Sequence, residues 1–290
     1  MHFKSHAGRL ALLAAALIWG SSFIIMKDTV SDVPVFLLLA IRFTIACVLL
    51  AIVFHRRLRQ AGGKLIRHGT ICGVLLLAAY ATQTFGLITT TPGKNAFLTA
   101  VYCVLVPFLS WLAYRKRPTV YNWAAAAMCI AGIGLVSIRE NLSIAPGDML
   151  TLLGGVFFAL HIMALSRFGE TDDPVSLTIV QFAVVALISW PCSLLTEQGA
   201  GLPAPAVWPQ LLYLSVLCTA ATLLLQTIGQ KLTPPSQAAI LLSLESVFGV
   251  ILSILAGAEV LTPMLGCGFT LIFLSVIVSE TQLSFLCRKK

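Results

Sequence analysis

The stretch Thr233-Pro234-Pro235-Ser236-Gln237-Ala238-Ala239-Ile240-Leu241-Leu242-Ser243-Leu244-Glu245-Ser246-Val247-Phe248 decides the fold. It reads as a helix start followed by an apolar run with one carboxylate about midway. Proline is tolerated in the first turn of a helix, where its missing N–H would lack a partner anyway. The apolar run continues to about Ala256, long enough to cross a hydrocarbon core of roughly 30 Å. Glu245 therefore falls near the bilayer midplane. An ionised side chain there costs at least about 2.5–3.5 kcal/mol, so such groups are kept in a bundle interior or a water-filled cavity.

Composition agrees. Of 290 residues, 58% are hydrophobic and only 10% charged, against about 25% charged in soluble domains. That much apolar surface predicts an all-α, polytopic integral membrane protein. The net charge of +8 does not indicate nucleic acid, because the charges sit in short clusters between apolar runs, as membrane topology requires. The cysteines Cys47, Cys72, Cys103, Cys129, Cys192, Cys218, Cys267 and Cys287 show no metal-ligand spacing and read as small buried hydrophobes. No metal and no cofactor is expected. The first apolar run lacks a clean cleavage site and is read as a retained helix.

Ten transmembrane helices are expected, at about 9–27, 34–54, 69–90, 95–114, 120–138, 148–167, 174–196, 207–229, 235–257 and 261–281. One membrane face then receives Lys4, Arg9, Arg56, Arg57, Arg59, Lys64, Arg67, Arg115, Lys116, Arg117, Arg167, Lys231, Arg288, Lys289 and Lys290. The other receives only Lys27, Lys94 and Arg139. The positive-inside rule places both termini in the cytoplasm, and an odd number of spans would split this bias. Asp28–Asp32 and Glu197–Ala206 are expected to be outward-facing loops.

The chain also repeats itself. Leu13-Ala14-Ala15-Ala16-Leu17-Ile18-Trp19-Gly20-Ser21-Ser22-Phe23 resembles Leu153-Gly154-Gly155-Val156-Phe157-Phe158-Ala159-Leu160-His161-Ile162-Met163. Thr91-Pro92-Gly93-Lys94-Asn95-Ala96 resembles Thr233-Pro234-Pro235-Ser236-Gln237-Ala238. Trp19 thus falls on Phe158, and Pro92 on Pro234. The repeat units are expected at 9–140 and 145–282. Five spans per unit is an odd number, so the second unit enters from the opposite side. Such inverted repeats suit alternating access around a midplane site.

Ala16-Leu17-Ile18-Trp19-Gly20-Ser21-Ser22-Phe23-Ile24-Ile25-Met26-Lys27 and Ala40-Ile41-Arg42-Phe43 resemble the start of an EamA domain. Pro146-Gly147-Asp148-Met149-Leu150, Leu244-Glu245-Ser246-Val247-Phe248 and Gly257-Ala258-Glu259 are similar to the second EamA repeat. The resemblance covers about residues 10–281. It implies the drug/metabolite transporter superfamily: ten-helix carriers of the bacterial inner membrane, often exporters of amino acids and other small metabolites. It also implies a central cavity lined by most helices, with the fifth and tenth peripheral. Where the family has Glu-Pro in the ninth span, this chain has Glu245-Ser246, which puts a kink there in question.

Several residues are candidates for substrate binding or coupling. Glu245 can accept a substrate amine or carry a proton, or be a structural partner of a neighbouring helix. Arg42, the basic residue inside a span, can bind an anionic group or pair with Glu245. Snorkelling is the alternative, but it lies about two turns from the interface. Trp19 sits too deep for an interfacial tryptophan and lines a cavity or packs, with Gly20, Ser21 and Ser22 allowing close approach. His161 can titrate near neutral pH or simply pack. Gln83, Gln226, Tyr80 and Tyr102, with Thr99, Gln181 and Ser243, bind solute or hydrogen-bond between helices. The basic clusters around Arg57 and Lys116 read as topology signals and lipid-headgroup contacts.

These features predict a secondary transporter that exports small metabolites by alternating access, with or without proton coupling. Its partners are a small-molecule metabolite and the lipid bilayer, and it works alone or as a homodimer. No Walker A pattern is present. An integral-membrane enzyme would need paired carboxylates or a metal motif, which the spans do not offer. A channel would show charge rings or a filter loop. Channel and non-transporting sensor remain the alternative classes.

Overall fold

The computed structural model describes residues 2–58, 62–115, 117–137, 145–198, 201–233 and 235–282. Arg59, Lys116, Arg139, Pro234, Cys287 and the basic residues from Arg288 to Lys290 lie outside the described residues. Ten helical spans follow one another: α1 (His2–Asp32), α2 (Val35–Val53), α3 (Gly63–Thr89), α4 (Pro92–Ala113), α5 (Val120–Ser137), α6 (Pro146–Gly169), α7 (Pro174–Thr196), α8 (Pro205–Leu232), α9 (Pro235–Leu255) and α10 (Pro263–Thr281). Seven are long and apolar enough to cross a membrane, and α5, α9 and α10 carry shorter apolar stretches among the described residues.

The boundaries move in an instructive way. Asp28–Asp32, expected as a loop, is the last turn of α1, so only Val33 and Pro34 separate α1 from α2. At Glu197, just after α7, the carboxylate accepts hydrogen bonds from the backbone N–H groups of Phe36 and Leu37 at 2.7 and 2.9 Å. These are orphan donors at the start of α2, where the helix dipole also favours an anion. The α9 helix runs unbroken through Glu245-Ser246, where the family has Glu-Pro. A break occurs instead in α4, between Thr99 and Tyr102. There the backbone tightens to i→i+3 bonds, Cys103 to Ala100 and Val104 to Val101. Pro107, one turn on, cannot donate to the Cys103 carbonyl.

Helix pairing follows the internal repeat. The α3–α6 pair corresponds to α8–α1, and α1–α9 corresponds to α6–α4. Helices α2 and α7 pack on each other, as do α5 and α10. Each is thus paired with its own counterpart, which is what a two-fold pseudo-axis between halves produces. In lipid, apolar burial does not by itself drive helices together, so close packing and interhelical hydrogen bonds must. Gly20 shows the first: a side-chain carbon there would lie 2.5 Å from Phe248 Cβ and 3.1 Å from the Glu245 carbonyl oxygen. Phe43 shows why the centre is rigid. Its ring is fully buried and meets Tyr80 and Phe182 edge-on, at 5.3 and 5.4 Å.

Candidate functional site

At the seam of the two halves lies a cavity with about 610 Å³ of empty space, its open side included. Nine of the residues singled out from the sequence line it, as does Thr99, whereas Gln181 and Ser243 do not. Trp19 and Ser22 come from α1, Arg42 from α2, and Tyr80 and Gln83 from α3. Tyr102 comes from α4, His161 from α6, Gln226 from α8 and Glu245 from α9. Among the described residues, α5, α7 and α10 contribute none.

One acidic and one basic side chain face this space. Glu245 is 5% exposed, and its Oε1 accepts a hydrogen bond from the Tyr102 hydroxyl at 3.2 Å. The Arg42 side chain is fully buried. Its Nε donates to Thr219 Oγ1, and its Nη2 to the Cys218 carbonyl at 3.1 Å. Its Nη1 lies 3.8 Å from Met26 Sδ, and the guanidinium stands 4.8 Å from the centre of the Tyr80 ring. Such a contact with a desolvated cation is worth about 2 kcal/mol. Direct pairing with Glu245, one of the alternatives for Arg42, is not formed: among the described residues, Arg42 has no carboxylate within ion-pairing distance. The reason is local. Neutral groups on α8 and an aromatic face occupy the guanidinium, while Tyr102 holds Glu245.

The backbone of α8 makes this possible. From Tyr213 to Ala221 it widens into a π-helix. Thr219 and Thr222 turn their hydroxyls onto carbonyls five residues back, at Leu214 and Leu217. Such wide turns occur often at functional sites. Here the Cys218 carbonyl accepts from two other helices at once, from Arg42 and from Trp19 Nε1 at 3.0 Å. Trp19 is thereby fixed with its ring on the cavity wall.

The remaining polar residues split by partner. Ser22 Oγ donates to its own helix, at the Trp19 carbonyl (2.7 Å). His161 Nε2 lies 2.9 Å from Gln181 Oε1 on α7, so Gln181 stands behind the site rather than in it. Gln83 Nε2 donates to Thr99 Oγ1 at 2.9 Å. Gln226 Oε1 is buried without a hydrogen-bond partner. Sequence reasoning passed over Asn95 and Thr84, which also line the cavity. In the sequence Asn95 stands out only within the internal repeat; its place one turn after Pro92, beside an apolar run, is the available signal. The apolar wall, with Phe23, Phe158 and Ile162, had none, since these residues look like any others in a span.

Comparison with known proteins places this architecture. The model of the EamA-like transporter family matches twice, at residues 6–138 and 145–281. An "Uncharacterized transporter" of Archaeoglobus fulgidus is 30% identical over 269 residues, covering 93% of this chain and 84% of that protein. The "Uncharacterized inner membrane transporter YedA" of Escherichia coli strain K12 is 27% identical over 164 residues, 54% of this chain and 52% of that protein. A solved crystal structure superposes with a TM-score of 0.73 at 20% identity, covering 97% of this chain and 99% of that one, a likeness of fold. The chain therefore belongs to the EamA-like transporter family and is a multi-pass membrane transporter rather than an enzyme.

Proposed function

We propose that this transporter exports small zwitterionic metabolites, amino acids or related compounds, by alternating access. One observation carries the reading: an acidic and a basic side chain, Glu245 and Arg42, face one cavity, buried, and each is held by neutral groups rather than by the other. Buried charges are normally compensated. A solute with an ammonium and a carboxylate group offers a counter-charge to both. Glu245 then carries a proton when the ammonium is absent, which couples export to proton entry.

The two ends of the bundle support a direction of opening. A depression begins one turn beyond the cavity along α6 and α8, lined by Leu165, Ser166, Gly169, Thr227, Gln230 and Lys231. By the distribution of basic residues this end is cytoplasmic. At the opposite end the α3–α4 joint is tied down. Lys27 Nζ donates to the carbonyls of Leu87, Ile88 and Thr90 at 2.7–2.9 Å. Thr90 donates to Asp148 at 2.6 Å, and Thr91 to Glu259 at 2.8 Å. Loading from the cytoplasm and release past this joint, across a bacterial inner membrane, fit that arrangement.

The test compares culture-medium metabolites from cells overproducing the parent chain and the Glu245→Gln variant at matched membrane levels. A zwitterionic compound enriched outside only with the parent supports the reading. Equal enrichment with both removes Glu245 from the mechanism. A flux that rises linearly with solute and never saturates would favour a channel.

A further inference from the structure

Both amide donors of Asn95, at the start of α4, are spent inside the protein. Asn95 is fully buried, and its Nδ2 donates twice, to the Gln83 carbonyl at 3.1 Å and to Thr151 Oγ1 at 2.7 Å. Thr151 passes its hydroxyl on to the Gly147 carbonyl, and Thr99 passes its own to the Asn95 carbonyl, both at 2.8 Å. Gln83 in turn donates to Thr99. The Asn95 amide cannot turn over, because its oxygen would then face the Gln83 carbonyl. Its Oδ1 is left buried and without a partner, and it belongs to a cavity-lining residue. Thr84 Oγ1 also lacks a partner, and its hydroxyl is free to accept as well as to donate. It follows Gln83, on whose carbonyl Asn95 rests. Leaving a buried acceptor unmade is costly. A lining residue whose amide donors are spent and whose oxygen is unmade offers an acceptor to a donor on whatever enters.

We infer that Asn95, with Thr84, forms a second subsite that selects solutes whose side chain carries a hydrogen-bond donor, a hydroxyl or an amide. This rests on the zwitterion reading of the Glu245–Arg42 end. Asn95 and Tyr102, the partner of Glu245, both stand on α4 and both line the cavity. The head group and the side-chain tip of one small molecule are then read at two places. A buried site that hydrogen-bonds its ligand rejects the analogue lacking that group more strongly than an apolar pocket rejects an added group.

The experiment uses the full chain in detergent. Thermal-shift titrations give apparent Kd values for threonine, asparagine and glutamine, and for valine, leucine and methionine, their near-isosteres without the donor. At least one polar member should bind roughly tenfold or more tighter than its mate, as one satisfied acceptor implies. Thr84→Val and Asn95→Leu should each shrink that ratio toward one. Thr84→Val keeps the side-chain shape and decides the matter if Asn95→Leu does not fold. Equal binding within every pair overturns the subsite while leaving the zwitterion reading standing. So does a preference unchanged in the folded variants. Failure of all six to bind overturns the zwitterion reading, and the subsite falls with it.

Discussion

Glu259 accepts a hydrogen bond from Thr91 Oγ1 at 2.8 Å, joining the loop after α9 to the first turn of α4. The Ser253 hydroxyl lies 3.4 Å from its other oxygen. Burial pushes the Glu259 carboxyl above its ordinary value; Thr91, the Gly93 N–H, Lys94 and Ser253 pull it back only in part. A carboxyl raised on folding binds its proton more tightly in the folded state. Its stabilising contribution is full below the unfolded value, about 4.5, and is lost as pH rises through the folded one. The melting temperature of the detergent-solubilised protein should therefore fall as pH climbs from about 4.5. Glu259→Gln, which can still accept from Thr91, should flatten that slope. An equal slope in both proteins would show that the carboxyl does not govern it.

The same contact fixes Gly93. A side-chain carbon there would stand 1.9 Å from Glu259 Oε2, closer than two unbonded atoms approach. Gly93→Ala must turn the carboxylate out of the joint and break its hydrogen bond with Thr91, so stability should fall by about 0.5–1.5 kcal/mol, the worth of one such bond. The double variant Gly93→Ala with Glu259→Ala should recover part of the loss. Additive losses would mean that the crowding lies elsewhere.

Much of this molecule was legible in the sequence, and the part that was not has a physical reason. The ten spans follow from the length of the apolar runs. The nine lining residues follow from polar groups being costly at depth, a cost that cavity walls and helix contacts avoid. What sequence could not give was the pairing. Arg42 and Glu245 look like partners because opposite charges in one bundle usually meet. Whether they do depends on the π-helical turn at Cys218, and no residue type announces such a turn. The same holds for the ends. His68, outside the expected third span, is buried in α3 and holds Asp172 at 2.6 Å while stacking on Phe168 at 4.0 Å. That contact arises from where α6 ends, which the chain's composition does not fix.

Trp19 and Arg42 share the Cys218 carbonyl, which sets a prediction for each. Trp19→Phe keeps most of the ring but removes the Nε1–H, leaving Arg42 as the carbonyl's remaining side-chain donor. Stability should fall by about 0.5–1.5 kcal/mol, the worth of one such bond, with modest loss of transport. Arg42→Lys should cost far more. One ammonium cannot reproduce a fork that serves Thr219, Cys218 and the Tyr80 face together. Export measured at matched membrane levels should drop at least tenfold, about 1.4 kcal/mol. Near-parental export by Arg42→Lys would mean that point charge alone matters at this position.

The last prediction follows from the unmade ion pair. If Arg42 and Glu245 stabilised each other directly, exchanging them would restore a pair in reverse, and the double variant would outperform either single swap. In this structure each charge is matched to its own neutral surroundings: Arg42 to acceptor oxygens of Thr219 and Cys218, Glu245 to the donor hydroxyl of Tyr102. A carboxylate placed at position 42 would face those acceptors, and a guanidinium at position 245 would meet a hydroxyl already placed to donate. Arg42→Glu, Glu245→Arg and the double variant should all be inactive in export, with losses that do not cancel. A double-mutant cycle on melting temperature checks the same point without needing the substrate. Its coupling should stay within about 0.5 kcal/mol, the usual additivity error for independent sites. Rescue of export by the double swap would instead mean that the two side chains meet directly in another state of the transport cycle.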